Sequence, residues 1–175
     1  MKQNNPFVVV GYNGPEYFCD REKETAKFVA AIENDRNVTL IAPRRYGKTG
    51  LIHHVQRQLS PEYTCIYLDI FALKNLSEFA RAFASAVVGS LDTPVEKTLA
   101  TVAKFFKSCR PTVSPQEDGM PKFSFDVVPQ QAEATIAETF EYLKRRDRRA
   151  VIAIDEFQQI YDKRGWKRLW RWRIE

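Results

Sequence analysis

The apolar residues of this 175-residue chain recur in two rhythms. Asn37 to Ala42, Tyr63 to Phe71 and Ala150 to Ile154 are short runs rich in β-branched and apolar residues, the pattern of strands buried on both faces of a sheet. Between them the spacing lengthens. Lys48 to Leu59 places Leu51, Ile52, Val55 and Leu59 on one helical face and stops at Ser60-Pro61, because proline cannot continue a helix. Ser77 opens a second, N-terminally capped helix with Phe79, Phe83, Ala86 and Val87 on its apolar side. A third helix is predicted from Thr93 to about Cys109, with Pro94 in its first turn and Val95, Leu99, Val102 and Phe106 aligned. A fourth runs from Ala132 to Arg146. Strand and helix patterns that alternate in this way predict the α/β class, a parallel sheet flanked by helices.

One stretch breaks the rhythm. Arg110 to Gln130 holds Pro111, Pro115, Pro121 and Pro129 around the alternating run Phe123-Ser124-Phe125-Asp126-Val127, and reads as a loop or small hairpin inserted at the periphery. No internal repeat is visible, and a 20.3 kDa chain fits one core. Residues 1–160 are therefore expected to form one domain, with the insertion at about 110–130, and residues 161–175 a separate basic, Trp-rich tail.

Composition narrows the class. A hydrophobic content of 44% and an aromatic content of 13% exclude an intrinsically disordered chain. No uninterrupted apolar stretch reaches the ~20 residues that span a bilayer. Phe7 to Val10 is too short for a signal-peptide core of at least ~7 residues, so the expected address is the cytoplasm, with no transmembrane segment. Cys19, Cys65 and Cys109 are odd in number and match no metal spacing; they read as buried or incidental thiols. The net charge of +5 suggests a basic protein, but it is unevenly placed: six Lys or Arg against Asp162 and Glu175 put +4 of it in residues 161–175. The body is nearly neutral.

The chemistry lies at strand ends. Ala42-Pro43-Arg44-Arg45-Tyr46-Gly47-Lys48-Thr49, followed by Gly50, fits the phosphate-loop pattern with alanine in place of the first glycine. Such a turn wraps backbone N–H groups around phosphates, Gly47 lets the main chain approach, and the following helix N-terminus adds partial positive charge. Lys48 would reach the outer phosphates and the Thr49 hydroxyl would bind Mg²⁺. Ala42 suits its place if its φ stays below zero. The apolar run Val151 to Ile154 ends in Asp155-Glu156, where α/β sheets bind ligands. Asp155 would hold Mg²⁺ and Glu156 would act as general base toward water. Asp69, ending the second run, either orders water around that ion or caps its strand. Adjacent His53 and His54 face different directions on a helix and read as solvent-facing or core residues. The Lys144 to Arg149 run reads as a solvated helix end.

These segments resemble the archaeal-type ATPase family of the AAA-like and STAND phosphate-loop ATPases. The resemblance is carried by Phe18-Cys19-Asp20-Arg21-Glu22-Lys23-Glu24, similar to an N-terminal Phe-x-x-Arg-x-x-Glu box, by Pro43 to Thr49, and by Ile154-Asp155-Glu156-Phe157-Gln158. It implies ATP and Mg²⁺ as cofactors and a nucleotide-driven switch or ATP hydrolase in the full-length form. Tyr17, Phe18 and Arg21 would either line the adenine site or pack under the sheet. Protein partners, DNA or a homo-oligomer follow from the family's roles. Family members continue beyond the Asp-Glu strand, so the resemblance implies an incomplete core here, the front half of an AAA-like domain without its sensor strand. The first and third strands would then pair directly, the tail would fill the gap, or the chain would be marginally stable. The tail offers an alternative function. Trp166, Leu169, Trp170 and Ile174 share a helical face among basic residues, which suits either an edge-covering helix or a nucleic-acid or membrane-surface contact.

Overall fold

The computed structural model describes residues 12, 14, 15, 18, 20–90, 99–114, 122–146 and 148–159, and divides into a unit of residues Met1–Tyr63 and a unit of residues Thr64–Glu175. Tyr17, Cys19, Pro94, Val95 and the whole basic tail lie outside the described residues.

In the first unit, helix α1 (Glu22–Glu33) packs against helix α2 (Lys48–Gln58). The α2 spacing is as expected: Leu51 and Val55 are buried, and the helix ends when Leu59 turns extended, two residues before Pro61. The strand expected over Asn37 to Ala42 does not form. That segment has no ladder, and Val38 and Ile41 are 41% and 89% exposed. The reason is physical: β-branched apolar residues favour a strand only where a neighbouring strand pairs their backbone and a packed face covers their side chains, and here neither is supplied.

Strand β1 (Tyr63–Asp69) begins at the last residue of the first unit and continues into the second, followed by helix α3 (Leu76–Gly89), helix α4 (Leu99–Phe105) and strands β2 (Arg110–Ser114) and β3 (Lys122–Asp126). A 3₁₀ turn (Pro129–Gln131) leads into helix α5 (Ala132–Lys144), and strand β4 (Arg149–Asp155) follows. β1 and β4 pair although they are far apart in sequence. Their C-terminal ends lie side by side, since the Ile70 N–H donates to the Asp155 carbonyl at 3.3 Å, so the pair is parallel. The protein is thus α/β, with a parallel sheet flanked by helices. Ile66, Leu68 and Ile70 of β1 and its end join Phe79, Phe83 and Val87 of α3 and Ile136 of α5 in one buried cluster. Each fully buried large side chain of this kind contributes roughly 1.5–3 kcal/mol.

Two expectations change here. The 110–130 stretch is a hairpin, with β2 and β3 antiparallel and Val113 opposite Phe123, but it is not peripheral. Phe123 and Phe125, two residues apart and so on one face, are 4% and 1% exposed and belong to the main core. Second, α3 is capped by Asn75 rather than started at Ser77: the Asn75 Oδ1 accepts from the Glu78 N–H at 2.9 Å, and Ser77 Oγ donates to the same oxygen at 2.8 Å. Asn75 and Glu78 stand three apart, the spacing of a capping pair, and Glu78 Oε2 accepts from the Lys74 N–H. In α4, Val102 is buried as expected while Leu99 is 44% exposed. No helix among the described residues is long and apolar enough to cross a membrane.

Candidate functional site

The loop from Ala42 to Gly47 leads directly into α2, and its shape depends on two left-handed residues, Arg45 at φ 61° and Gly47 at φ 70°. Gly47 is needed for that conformation rather than for space: a Cβ built there would meet only Arg21 Nη2, at an ordinary 3.8 Å. Ala42 keeps a non-positive φ, which is the condition under which alanine serves at the head of such a loop. Left-handed residues alternating with others turn successive N–H groups toward one side, a concavity suited to anions.

Lys48, the first residue of α2, folds back over the loop. Its Nζ donates to the Ala42 carbonyl at 3.1 Å and to the Pro43 carbonyl at 3.0 Å, so two of its three protons are anchored on the loop's own backbone. Pro43, Arg44, Arg45, Tyr46, Gly47 and Thr49 are exposed, and Ala42, Lys48 and Gly50 are partly covered. Arg21 braces the far side: its Nη2 donates to the Tyr46 carbonyl, and its guanidinium lies 5.1 Å from the centre of the Tyr46 ring.

Beside the loop, Phe18 stacks on His54 of α2 with ring centroids 4.1 Å apart. His54 is 8% exposed; its Nδ1 shares a hydrogen bond with the Tyr12 hydroxyl at 2.9 Å and its Nε2 one with the Gln58 amide at 2.8 Å. His53 points elsewhere and meets Gln56 at 3.3 Å. The pair therefore divides as helical geometry requires. His54 as an aromatic wall was not foreseen; its one available signal was its helical spacing from Leu51 and Gln58.

The carboxylates expected from the sequence lie in the second unit. Asp155 ends β4 and is 8% exposed; Tyr67 of β1 donates its hydroxyl to Asp155 Oδ2 at 2.9 Å, and the Glu156 N–H donates to Oδ1 at 2.9 Å. An ionised carboxylate accepts both bonds without losing its charge, so these donors hold Asp155 in one orientation. Glu156 turns the chain with φ 59°, a conformation costly for a residue with a Cβ, and its Oε2 accepts from the Gln158 amide. Asp69 is exposed and accepts the Phe71 N–H at 2.8 Å, which makes it a strand-end cap. No cluster of three or more His, Cys, Asp or Glu suited to a metal occurs among the described residues.

The first unit thus offers a left-handed loop at a helix start, and the second an oriented carboxylate at a strand end. The chain belongs to the family of ATPase domains found predominantly in Archaea, whose model matches residues 18–172. It is also 27% identical over 151 residues to an uncharacterized ATP-binding protein of Pyrococcus abyssi, a match that covers 84% of this chain and 45% of that protein. The chain thus spans less than half the length of that relative. No solved structure matches it at a significant level.

Proposed function

We propose that the chain binds ATP with Mg²⁺ through Ala42, Pro43, Arg44, Arg45, Tyr46, Gly47, Lys48, Thr49 and Gly50, with Thr49 and Asp155 as the candidate metal-binding residues and Glu156 as the candidate catalytic residue. The family role of such a domain would be that of a nucleotide-driven switch or an ATP hydrolase. The observation that carries the reading is the loop itself: left-handed Arg45 and Gly47, the Lys48 ammonium tethered at 3.0–3.1 Å across it, and an eleven-residue helix beginning where it ends. That arrangement offers backbone N–H groups, a helix N-terminus and a cation to one polyphosphate.

The donor set fits the ion as well. Magnesium at nucleotide sites takes one or two protein oxygens and fills its shell with phosphates and water, and the Thr49 hydroxyl and the Asp155 carboxylate are each oxygens of the kind it takes. When bound, the ion would neutralise charge on the phosphates. The residues' own work is simpler to state. Lys48 keeps a proton free for phosphate while its other two hold the loop, Tyr67 and the Glu156 N–H fix Asp155, and Gln158 steadies Glu156, whose carboxylate would accept a proton from water. Phe18 and Arg21, beside the loop, would line the base.

Isothermal titration of the full chain with ATP and Mg²⁺ tests this. Lys48→Ala is expected to remove measurable binding, and Glu156→Gln to retain binding while abolishing any turnover. Unchanged ATP affinity in the lysine variant would sink the proposal.

A further inference from the structure

Among the described residues three threonines are buried in helices, and one behaves differently. In α5, Thr135 donates its hydroxyl to the Gln131 carbonyl at 3.0 Å and Thr139 donates to the Thr135 carbonyl at 2.7 Å, the usual bond to the residue four back. Thr25 of α1 is 3% exposed, and the Arg21 carbonyl four back is in place, accepting the Thr25 N–H at 2.9 Å. Yet among the described residues the Thr25 Oγ1 has no hydrogen-bond partner. A buried hydroxyl left without a partner costs more than a made hydrogen bond gains net, so a fold that leaves it unmade beside an available carbonyl needs a reason.

The surroundings supply one. Thr25 lines a cavity of about 220 Å³ whose walls include Phe18, Arg21, His54 and Gln58. The cavity adjoins the phosphate loop through two of these residues: Arg21 donates to the Tyr46 carbonyl, and Phe18 Cε2 lies 3.7 Å from where a Cβ on Gly50 would stand. A phosphate-bearing ligand seated on the loop therefore has this cavity beside it for its other end. A flat aromatic face, a buried hydroxyl and an amide are what a planar heterocycle with ring nitrogens calls for.

We propose that Thr25 is the residue that seats the nucleobase, its hydroxyl bonding a heteroatom of the ring system while Phe18 offers the ring its face. Helical threonine populates two χ1 rotamers, and the exchange swaps hydroxyl for methyl, so the group turns toward a ligand without moving the backbone. Because a hydroxyl both donates and accepts, it fixes the position of a purine rather than choosing between purines. The inference rests on the nucleotide reading of the loop, and its test separates the two.

The full chain is titrated with Mg²⁺-ATP and with Mg²⁺-tripolyphosphate, which has no base. Thr25→Val is expected to weaken ATP about fivefold to twentyfold, the worth of one hydrogen bond, and to leave tripolyphosphate unchanged. Thr25→Ser should keep wild-type affinity for both, and the unliganded valine variant should melt no lower than wild type, since it loses a hydroxyl that bonds nothing. Equal ATP affinity in the valine variant, a parallel loss of both ligands, or a lowered melting temperature without ligand would each overturn the assignment. Failure of the loop reading looks different: the unaltered chain would bind neither ligand, or Lys48→Ala would retain both.

Discussion

The two units hold their parts by different means. Residues 64–159 fold around an aromatic core in which Phe83, Phe106, Phe123, Phe125 and Tyr142 are nearly or fully buried, and rings meet at 4.9–5.5 Å. Among the described residues, the unit that carries the loop from Ala42 to Gly47 buries far less: Leu51, Val55, Tyr63, Thr25 and His54 are its buried side chains beyond glycine, and most of the loop is exposed. Hydrophobic burial sets the shape of the one, whereas backbone conformation and a few directed hydrogen bonds set the shape of the other. A substitution in the core should therefore register as stability, and one in the loop as affinity.

The largest expected effect tests the core side of that contrast. Phe125→Ala removes a ring 1% exposed that packs 4.9 Å from Phe106, and should cost about 3–5 kcal/mol, read as a lower midpoint in urea. A loss below about 1 kcal/mol would show that the hairpin is dispensable and that the boundary between core and periphery lies elsewhere.

Next comes the point where the core holds a chemical group. Tyr67→Phe deletes the hydroxyl that donates to Asp155 Oδ2 and leaves a carboxylate 8% exposed with one donor fewer. Hydrogen bonds to charged groups are worth about 1.5–3 kcal/mol, so denaturation should shift by up to that amount, with Mg²⁺-ATP affinity falling too if Asp155 serves the ion. A change in stability alone would confine Tyr67 to the fold.

The elements of the core were largely legible in sequence. The periodicity of Leu51 and Val55, the Ser60-Pro61 stop and the apolar runs at 63–71 and 150–154 each depend on near neighbours, and each appears close to its expected bounds. The residues that misled depend on distant ones. Val38, Leu40 and Ile41 have the composition of a buried strand, but composition cannot supply the partner strand whose absence leaves Ile41 89% exposed. Phe123 and Phe125 alternate as a strand should, yet the prolines around them suggested a surface loop; only the fold of α3 against the hairpin brings them inside. In the candidate site, the helix start at Lys48 lies where the spacing put it. Thr25 and His54 did not, because their significance lies in which bonds they make or leave unmade.

A smaller effect probes the loop. Arg45 is held at φ 61°, so Arg45→Gly relieves a left-handed conformation that costs a residue with a Cβ about 1 kcal/mol, partly offset by glycine's greater freedom when unfolded. The variant should be as stable as wild type or up to about 1 kcal/mol more stable. If it is instead destabilised, the Arg45 side chain holds the loop, and backbone conformation is not what shapes it.

The smallest effect belongs to the thiol of Cys109. Cys109 is half-buried beside the main cluster, and burial, with a lesser contribution from the Glu138 charge, pushes its thiol up to about 11 from 9.0, against opposing hydrogen bonds with Thr135 and Ser108. The unfolded chain would lose this proton near pH 9 and the folded chain only near 11, so between those values the folded state holds more protons. Stability should then decline as pH rises from about 9 to 11, and be unaffected by this group below pH 8. Because the thiol is only half withdrawn from water, the decline should stay below about 1 kcal/mol, well under the roughly 2.7 kcal/mol that the full shift would imply. Cys109→Ser, compared with wild type by urea denaturation across pH 7–10.5, isolates the term: the difference between the two proteins should be flat to pH 8 and then narrow as the native thiol loses its advantage. A difference that widens with pH would mean that the thiolate is stabilised in the fold, and that burial does not govern this side of the core.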